Sequence, residues 1–335
     1  EKNKTSITPN IDKLIKKGVY FKQTISSADS TLLAISSLFT GKHPFKTGIR
    51  SGRFNKLKEG IPTFFKILTN NDYHHYAYNP TVTKTIGLMP DFENKDSNYD
   101  YHFDLSDGLG GEIIEKLKSG LSEPWCFYIH ANDLHFPISV PKEFLDKKYG
   151  NNNFEKQLSA IDLWIGKIFK NINFKNTVVI ITADHGTFIP SASTENGTMN
   201  FEIDSKKQNL ISKISKKIPG FLLPLKRKLF LKKEKLERKS INEKIKKMEL
   251  KPHEKRELLG MRSDLDKVLF DSKVKVPLVI MANKIKGNVI ISQQVRQVDI
   301  FPTLLDIIGI KNEVDVDGQS LVPLMNGEDF DELPA

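Results

Sequence analysis

Short apolar segments rich in Val, Ile and aromatic residues alternate along this chain with amphipathic segments of helical period. This alternation restricts the fold more than any other feature of the sequence. We predict strands at GVYFKQTI, HHYAYNP, WCFYIHA, TVVIIT and VKVPLVIMA. We predict helices at TPNIDKLIKKG, TLLAISSLFTG, GIPTFFKILTNNDY, 111–118, NFEKQLSAIDLWIGKIFKNI and QVDIFPTLLDIIGI. Strands separated by such helices predict an α/β fold with a mostly parallel central sheet and helices on both faces.

Length and composition limit the number of domains and the classes of protein to which the chain can belong. The chain has 335 residues, 39% of them hydrophobic, which suits one α/β domain over 1–335 with a large core. It contains no apolar run of about 18 residues, so we predict no transmembrane segment. Its single cysteine, Cys126, excludes a disulfide framework and a cysteine-based metal cage.

The positive charge of the chain is concentrated in one segment. The net charge is +10, but residues 205–256 hold 19 Lys and Arg against 5 Asp and Glu, so the remainder is slightly acidic. We interpret 187–265 as a basic, helical insertion in the domain. Three roles stay open for it: a solvated helical hairpin, peripheral contact through 205–256 with anionic lipid or an acidic polymer, and sequence-independent nucleic-acid contact. Specific nucleic-acid recognition is not predicted.

The segment TVVIITADHG delivers a carboxylate and an imidazole to a glycine turn at the end of a strand. Asp184 and His185 are ligand types that suit Mn, Zn, Mg or Ca, depending on the rest of the coordination shell. Gly186 removes the side chain that would obstruct the turn. The alternative interpretation is that Asp184 caps the next turn and His185 lies at the surface.

Two further segments carry reactive side chains. In SADSTLLAISSLFTG a Ser/Thr cluster opens an apolar helix, where a hydroxyl is either an N-cap or lies in an anion site. In YIHANDLHFP two histidines follow a strand. His130 is placed either as a buried residue at the strand end or at the site, and His135, in the loop, is better placed to meet a substrate.

Six segments in register resemble the sulfatase family of the alkaline phosphatase superfamily over nearly the whole chain. They are TPNIDKLIKKGVYF, STLLAISSLFTGKHPFKTGIR, FYIHANDLHFP, VVIITADHG, LFDSKVKVPLVIMA and VDIFPTLLDIIGI followed by DGQSLVPLMNGE. In this family the nucleophile lies ten residues before the Gly of a TG pair, which corresponds here to Thr31. The resemblance implies an alkaline phosphatase-like fold.

The resemblance also implies a divalent-metal site. Asp184 and His185 occupy the family's metal-ligand positions, and the Thr31 hydroxyl would approach the same cation for in-line attack on the substrate. The family's first metal-binding aspartates precede TPN, so we expect its first strand and these ligands to lie upstream of Glu1.

Five residues are expected to contact an anionic ester substrate under the same resemblance. His135 would contact the oxyanion or the leaving group, and His130, Lys42 and His43 are candidates around the pocket. Lys267 is the nearest counterpart of a basic residue near the family's last motif, although it stands one residue out of register.

The departures from the family pattern bear on the reaction. Sulfatases convert a Cys or Ser nucleophile to formylglycine in a Cys/Ser-x-Pro-x-Arg context, whereas this chain has Thr31, Leu33 and Ile35. Threonine cannot become that aldehyde, and members that transfer phosphoryl groups use unmodified threonine. We therefore predict a metal-dependent hydrolase or phosphotransferase acting on phosphate esters, possible substrates being linked to glycan or lipid. The alternative is a non-catalytic sulfatase-like protein that binds anionic glycan or lipid through its basic insertion.

Overall fold

The computed structural model describes most of the chain. The described residues are 5–50, 55–99, 104–135, 138–187, 191–194, 197–200, 239, 241–260 and 269–328. Nine strands are assigned in them: β1 Val19–Ile25, β2 His74–Pro80, β3 Asn98–Tyr99, β4 Trp125–Ile129, β5 Val179–Thr182, β6 Ser191–Thr194, β7 Gly197–Asn200, β8 Lys275–Met281 and β9 Val289–Arg296. The α-helices numbered among the described residues are α1 Pro9–Lys17, α2 Thr31–Thr40, α3 Pro44–Thr47, α4 Phe64–Thr69, α5 Leu109–Lys118, α6 Asn153–Phe169, α7 Pro252–Gly260, α8 Asp271–Val274, α9 Ile300–Ile308 and α10 Val322–Met325.

The described strands form two larger sheets and a hairpin. One sheet has the order β5-β8-β1-β9, the second has the order β3-β2-β4, and β6 pairs with β7. The second sheet is parallel throughout, and β1 and β9 are parallel. However, β8 runs antiparallel to both β1 and β5. The α/β class is confirmed, but the predicted parallel order holds for only part of the structure because β8 enters its sheet in the opposite direction.

Both faces of the four-stranded sheet are covered, as the predicted architecture requires. Alternate residues of β8 point to opposite sides: Leu278 and Ile280 join a core with α9 and α10, while Val279 and Met281 pack against α1 and α6. All four are buried, so the second half of this strand has no solvated face, whereas Lys275 and Pro277 in its first half are exposed. Burial on both faces explains why its sequence is continuously apolar instead of alternating.

A buried carboxylate anchors α1 to α6. Asp162, 1% exposed on α6, accepts hydrogen bonds from the backbone N–H groups of Asn10 and Ile11 at 2.8–3.1 Å. These N–H groups lie in the first turn of α1, where they have no partner within the helix. The carboxylate satisfies them and complements the positive end of the helix dipole.

Helix α2 begins at Thr31 and ends at a glycine in the left-handed conformation. Gly41 has φ of 63°, and a Cβ there would lie 2.7 Å from the Phe301 ring, so glycine is required for both reasons. The extended residue before the helix, Ser30, makes no side-chain capping bond. Thr31 is therefore the first residue of α2 and lies at the end of this helix that is next to the ends of the strands.

Only parts of the predicted insertion fall within the described residues. They include the β6–β7 hairpin, which the sequence did not predict, a helix at 241–247, and α7. Glu257 of α7 accepts a hydrogen bond from the Ser272 hydroxyl, which ties this part to α8. Most of 205–256 and Lys267 lie outside the described residues. No helix in the described part of the chain has the length and apolarity needed to cross a bilayer.

Candidate active site

The turn after β5 holds Asp184 and His185 side by side. The His185 N–H donates to Asp184 Oδ1 at 2.9 Å, and His185 Nδ1 lies 2.6 Å from the Gly186 carbonyl oxygen. Gly186 N–H donates to the carbonyl of Lys273 at 2.6 Å, and a Cβ at position 186 would lie 1.9 Å from the Ser272 carbonyl oxygen. The turn therefore requires glycine because the backbone of α8 occupies the side-chain space.

The Thr31 hydroxyl lies beside this pair. Its Oγ1 is 3.2 Å from His185 Nε2, and the same nitrogen is 3.4 Å from Asp184 Oδ2. A carbonyl only accepts, so His185 Nδ1 carries the proton that it donates to Gly186. In the neutral ring Nε2 then presents a lone pair toward Thr31, as a metal-ligating imidazole does.

Two neutral side chains, those of Gln297 and Ser26, contact backbone carbonyl groups of this turn. Gln297 Nε2 donates to the carbonyls of Ala183 at 3.1 Å and Asp184 at 2.9 Å. The Ser26 hydroxyl also lies 2.6 Å from the Asp184 carbonyl. Both side chains are buried, and Ser26 follows β1 just before α2. We name this group the carbonyl clamp, because it links the ends of β1, β5 and β9 through backbone oxygens.

The loop at 130–135 approaches the site from the end of β4. His130 N–H donates to the Tyr78 carbonyl at 2.9 Å, and the Tyr99 hydroxyl donates to the His130 carbonyl. Desolvation lowers the pKa of His130, against a raising effect of the Asp184 carboxylate, while His185 and His135 lower it further. His135 is exposed at the loop tip, where its N–H donates to the Asn132 carbonyl at 2.7 Å. The electrostatic interactions place His130 near the Asp184–His185 turn, and His135 lies near His130.

The tautomer of His130 follows from its phenol neighbour. Tyr128 Oη is 2.8 Å from His130 Nδ1, and desolvation raises the pKa of Tyr128 well above its ordinary value, so the phenol stays protonated. We assign its O–H as the donor to Nδ1, because this arrangement pairs the phenol proton. Neutral His130 then carries its own proton on Nε2 and can donate from there.

The expected basic residues Lys42 and His43 lie at the other end of α2. Nine residues of helix separate Thr31 from Thr40, a distance of about 13 Å. Lys42 Nζ pairs with Asp315 at 2.7 Å, and His43 N–H donates to Asp317 at 2.9 Å. The structure therefore does not bring them to Thr31, which corrects the expectation that they surround the pocket: α2 runs away from the site.

The donor set of the turn fits a divalent cation in part. Asp184 Oδ2, His185 Nε2 and Thr31 Oγ1 converge, and the hydrogen bond from His185 Nδ1 fixes the ring in the ligating orientation. Among the described residues, however, no group of three or more carboxylate, imidazole or thiol side chains is arranged to hold a metal. The carboxylate and imidazole with a hydroxyl are thus compatible with Mn, Zn, Mg or Ca but form an incomplete shell.

The fold is similar to those of solved phosphonate monoester hydrolases and sulfatases. The structure is similar to the phosphonate monoester hydrolase of Agrobacterium radiobacter, with a TM-score of 0.63 and 15% identity over 97% of this chain and 73% of that one. It is also similar to a putative sulfatase from Bacteroides thetaiotaomicron, with a TM-score of 0.59 and 16% identity over 96% of this chain and 70% of that one. At this level of identity the similarity establishes the fold.

The sequence itself establishes the family. Residues 1–310 match the family model described as Sulfatase, and the chain belongs to the sulfatase family. Human Arylsulfatase K is 41% identical over 56 residues, which are 17% of this chain and 10% of that protein. The alignment thus spans about a tenth of the curated relative.

Sequence reasoning missed the residues that support the site. Ser26 and Gln297 act on backbone carbonyls, and no motif distinguishes such residues from ordinary polar positions. Asp133, between the two predicted histidines, was also missed. Its position in HANDLH was the available signal, because a carboxylate in a histidine-bearing loop either faces the site or supports the loop.

Proposed function

We propose that this protein is a metal-dependent hydrolase or phosphotransferase that acts on phosphate esters with Thr31 as its nucleophile. The observation that carries the proposal is the 3.2 Å separation of Thr31 Oγ1 and His185 Nε2, with Asp184 next to the same nitrogen. A hydroxyl at a helix N-terminus beside a carboxylate–imidazole pair suits attack on an anionic ester, because the free N–H groups attract the anion.

The nucleophile type favours phosphate over sulfate. The threonine side chain cannot be oxidised to the formylglycine of sulfatases. The neighbouring departures, Leu33 and Ile35, both pack into a core cluster, and Ile35 is only 1% exposed. Position 35 carries Ile in place of the arginine, and these departures support phosphoryl transfer to an unmodified alcohol as the proposed reaction.

The chain's own residues have separate roles in the proposed reaction. Thr31 Oγ forms a bond to phosphorus while the bond from phosphorus to the leaving alcohol breaks, and water or an acceptor alcohol then releases the phosphoryl group from Thr31. His135 contacts the leaving oxygen or the oxyanion, and His130 donates from Nε2. Asp184, His185 and Thr31 would hold a divalent cation, which would supply Lewis acidity and lower the pKa of the threonine hydroxyl.

Replacing Thr31 tests this mechanism directly. Thr31→Val keeps the shape of the side chain but removes the nucleophile, so kcat/KM for an aryl phosphodiester in the presence of Mn²⁺ should fall by about 10³-fold or more. Thr31→Ser should retain activity within about tenfold, because the hydroxyl remains. The measurement is release of the aryl alcohol with matched thermal unfolding of both variants.

Thr40→Val is the matched control. Thr40 is a buried threonine at the far end of the same helix, where its hydroxyl donates to the Ser36 carbonyl. The control should keep the wild-type rate. Equal rates for wild type and Thr31→Val would contradict the mechanism, and faster cleavage of the corresponding aryl sulfate would overturn the preference for phosphate. An increase in product with added alcohol would identify the enzyme as a transferase.

A non-catalytic role is the second candidate. The incomplete set of metal ligands among the described residues favours it, and the basic segment 205–256 supplies the charge for binding an anionic glycan or lipid. This candidate predicts that wild type and Thr31→Val bind anionic vesicles equally and that Mn²⁺ titration releases no heat. Vesicle binding that does not weaken with added salt would argue against it.

We further propose that a strand upstream of residue 1 completes the sheet and adds a ligand. Among the described strands, β4 pairs only with β2 and β5 only with β8, and every residue of both strands is half-exposed although most are apolar. Their ends approach each other, since the Asp184 carboxylate raises the pKa of Tyr128. A longer chain that binds no more Mn²⁺ per molecule than residues 1–335 would contradict this.

A further inference from the structure

The loop between His130 and His135 rests on a buried carboxyl group. Asp133 is 2% exposed, and its two oxygens lie 3.1 and 3.2 Å from the Leu105 backbone N–H. Gln157 of α6 donates to the same carboxyl from Nε2 at 3.1 Å. Three parts of the fold therefore meet at one side chain: the histidine loop, the turn before α5, and α6.

A second carboxyl group lies beside the first. Asp104 is 8% exposed and, like the Tyr99 phenol, interacts electrostatically with Asp133. Desolvation raises the pKa of Asp133 to about 7, and the Asp104 charge adds to this. The hydrogen bonds from Leu105, the Asp133 backbone and Gln157 oppose it. Two adjacent buried carboxylates repel each other, so the pair is most stable with one proton between them.

The Asp133 side chain attaches the middle of the described loop to the turn before α5 and to α6, whereas other residues of the loop have contacts of their own. Tyr99 fixes the His130 carbonyl, and the tip residue His135 is attached to Asn132 through a backbone hydrogen bond. The buried oxygen Oε1 of Gln157 has no hydrogen-bond partner, so its amide is orientated only through the bond to Asp133. The position of the loop thus depends on the Asp133 carboxyl.

We propose that Asp133 is a positioning residue that, through its contacts with Leu105 and Gln157, holds the loop bearing His130 and His135 toward the reacting ester. The role in catalysis rests on the proposed function, whereas the structural role does not. Ionisation of Asp133 places two negative charges in the same buried space, and this repulsion opposes the hydrogen bonds that Leu105 and Gln157 donate to Asp133.

The direction of the pH effect follows from linkage. The folded-state pKa of Asp133 is raised above its unfolded value of about 3.9. Folded protein therefore binds this proton more tightly, and its contribution to stability is present at low pH and is lost as the pH rises through about 7. Between pH 6 and 8 the unfolding midpoint should fall by about 3 °C through this group.

Asp133→Asn tests the proposal, because asparagine keeps an oxygen acceptor for Leu105 without the charge. We expect the variant to lose the decrease in unfolding midpoint between pH 6 and 8. We also expect the carboxyl of Asp133 in the wild type to titrate near pH 7 in ¹³C NMR. The exposed Asp107 of the same turn provides the matched control, and Asp107→Asn should keep the wild-type pH curve.

Asp104→Asn is the second variant and remains informative if Asp133→Asn does not fold. Removal of the neighbouring charge should lower the pKa of Asp133 by about one unit. Titration of Asp133 below pH 5 in the wild type, or an unchanged unfolding curve in Asp133→Asn, would overturn the structural role.

The catalytic role has its own readout. In an active wild-type enzyme, ionisation of Asp133 should contribute to a decrease in kcat/KM above pH 7. In Asp133→Asn this contribution should be absent. If the NMR and unfolding results hold while kcat/KM keeps its pH profile, the positioning role is overturned. If the wild type has no esterase activity, the proposed function fails, and the NMR and unfolding results still decide whether Asp133 holds the loop.

Discussion

The two halves of the candidate site are supported by different chemistry. The Asp184–His185 turn rests on the carbonyl clamp, in which a neutral amide and a hydroxyl bind backbone oxygens. The 130–135 loop rests on Asp133, a buried acid next to a second acid. Because neither Ser26 nor Gln297 titrates near neutral pH, the support that the clamp gives the turn should stay constant across the range in which the support of the loop changes. The comparison teaches that one site can combine a constant part with a pH-dependent part.

The largest expected effect comes from a substitution in the Asp184–His185 turn, the half of the site whose support does not depend on pH. Gly186→Ala places a Cβ within 1.9 Å of the Ser272 carbonyl, and both partners are backbone or attached directly to it. The turn must move away from α8, and we expect the free energy of unfolding to fall by about 3 kcal/mol. Chemical denaturation measures this loss. As a control, Gly111→Ala should be tolerated, since nothing lies within 4 Å of its added Cβ.

Gln297→Met removes the clamp while keeping the volume of the side chain. The carbonyl of Ala183 loses its donor, and that of Asp184 keeps only Ser26, so we expect a loss of about 2 kcal/mol of stability. In an active enzyme kcat should fall by about tenfold while KM changes little, since the substrate does not touch Gln297.

Gln293→Met, an exposed position on β9, is the control for this change and should behave as wild type in both measurements. If Gln297→Met changes the pH dependence of unfolding instead, the distinction between the two halves of the site is wrong.

Tyr128→Phe has the smallest expected effect. It tests how the tautomer of His130 is fixed in the 130–135 loop. Loss of the phenol leaves His130 Nδ1 without its 2.8 Å partner, at a cost of about 1 kcal/mol. The proton of His130 should then distribute between both ring nitrogens, and ¹⁵N NMR detects the change in tautomer. An unchanged nitrogen spectrum would show that the phenol does not fix the proton on Nε2.

The sequence predicted the fold to the extent that local pattern determines it. The strand at 275–281 was predicted from its apolar residues, but its direction was not, because hydrophobicity is the same for parallel and antiparallel pairing. Strand β9 was missed because Ser292, Gln293 and Gln294 interrupt its apolar pattern. The alternation of strands and helices gave the α/β class, and pairing direction depends on contacts distant in sequence.

The candidate site was predictable where residue type and spacing coincide. Thr31, Asp184 and His185 belong to motifs, and the structure brings them together. Lys42 and His43 were candidates for the pocket rim under the family resemblance, but the length of α2 separates them from Thr31. Supporting residues such as Gln297 escape prediction because they act through backbone atoms, whose positions only the folded chain defines.

The carbonyl clamp joins three residues that are far apart along the chain: Ser26, Asp184 and Gln297. During synthesis the first of them leaves the ribosome long before the last, so no shorter nascent chain can assemble the catalytic geometry. Folding must wait for these distant contacts, which makes it slow and leaves apolar strands uncovered in the meantime. The Asp184–His185 turn therefore gains its full support only after Gln297 has been synthesised.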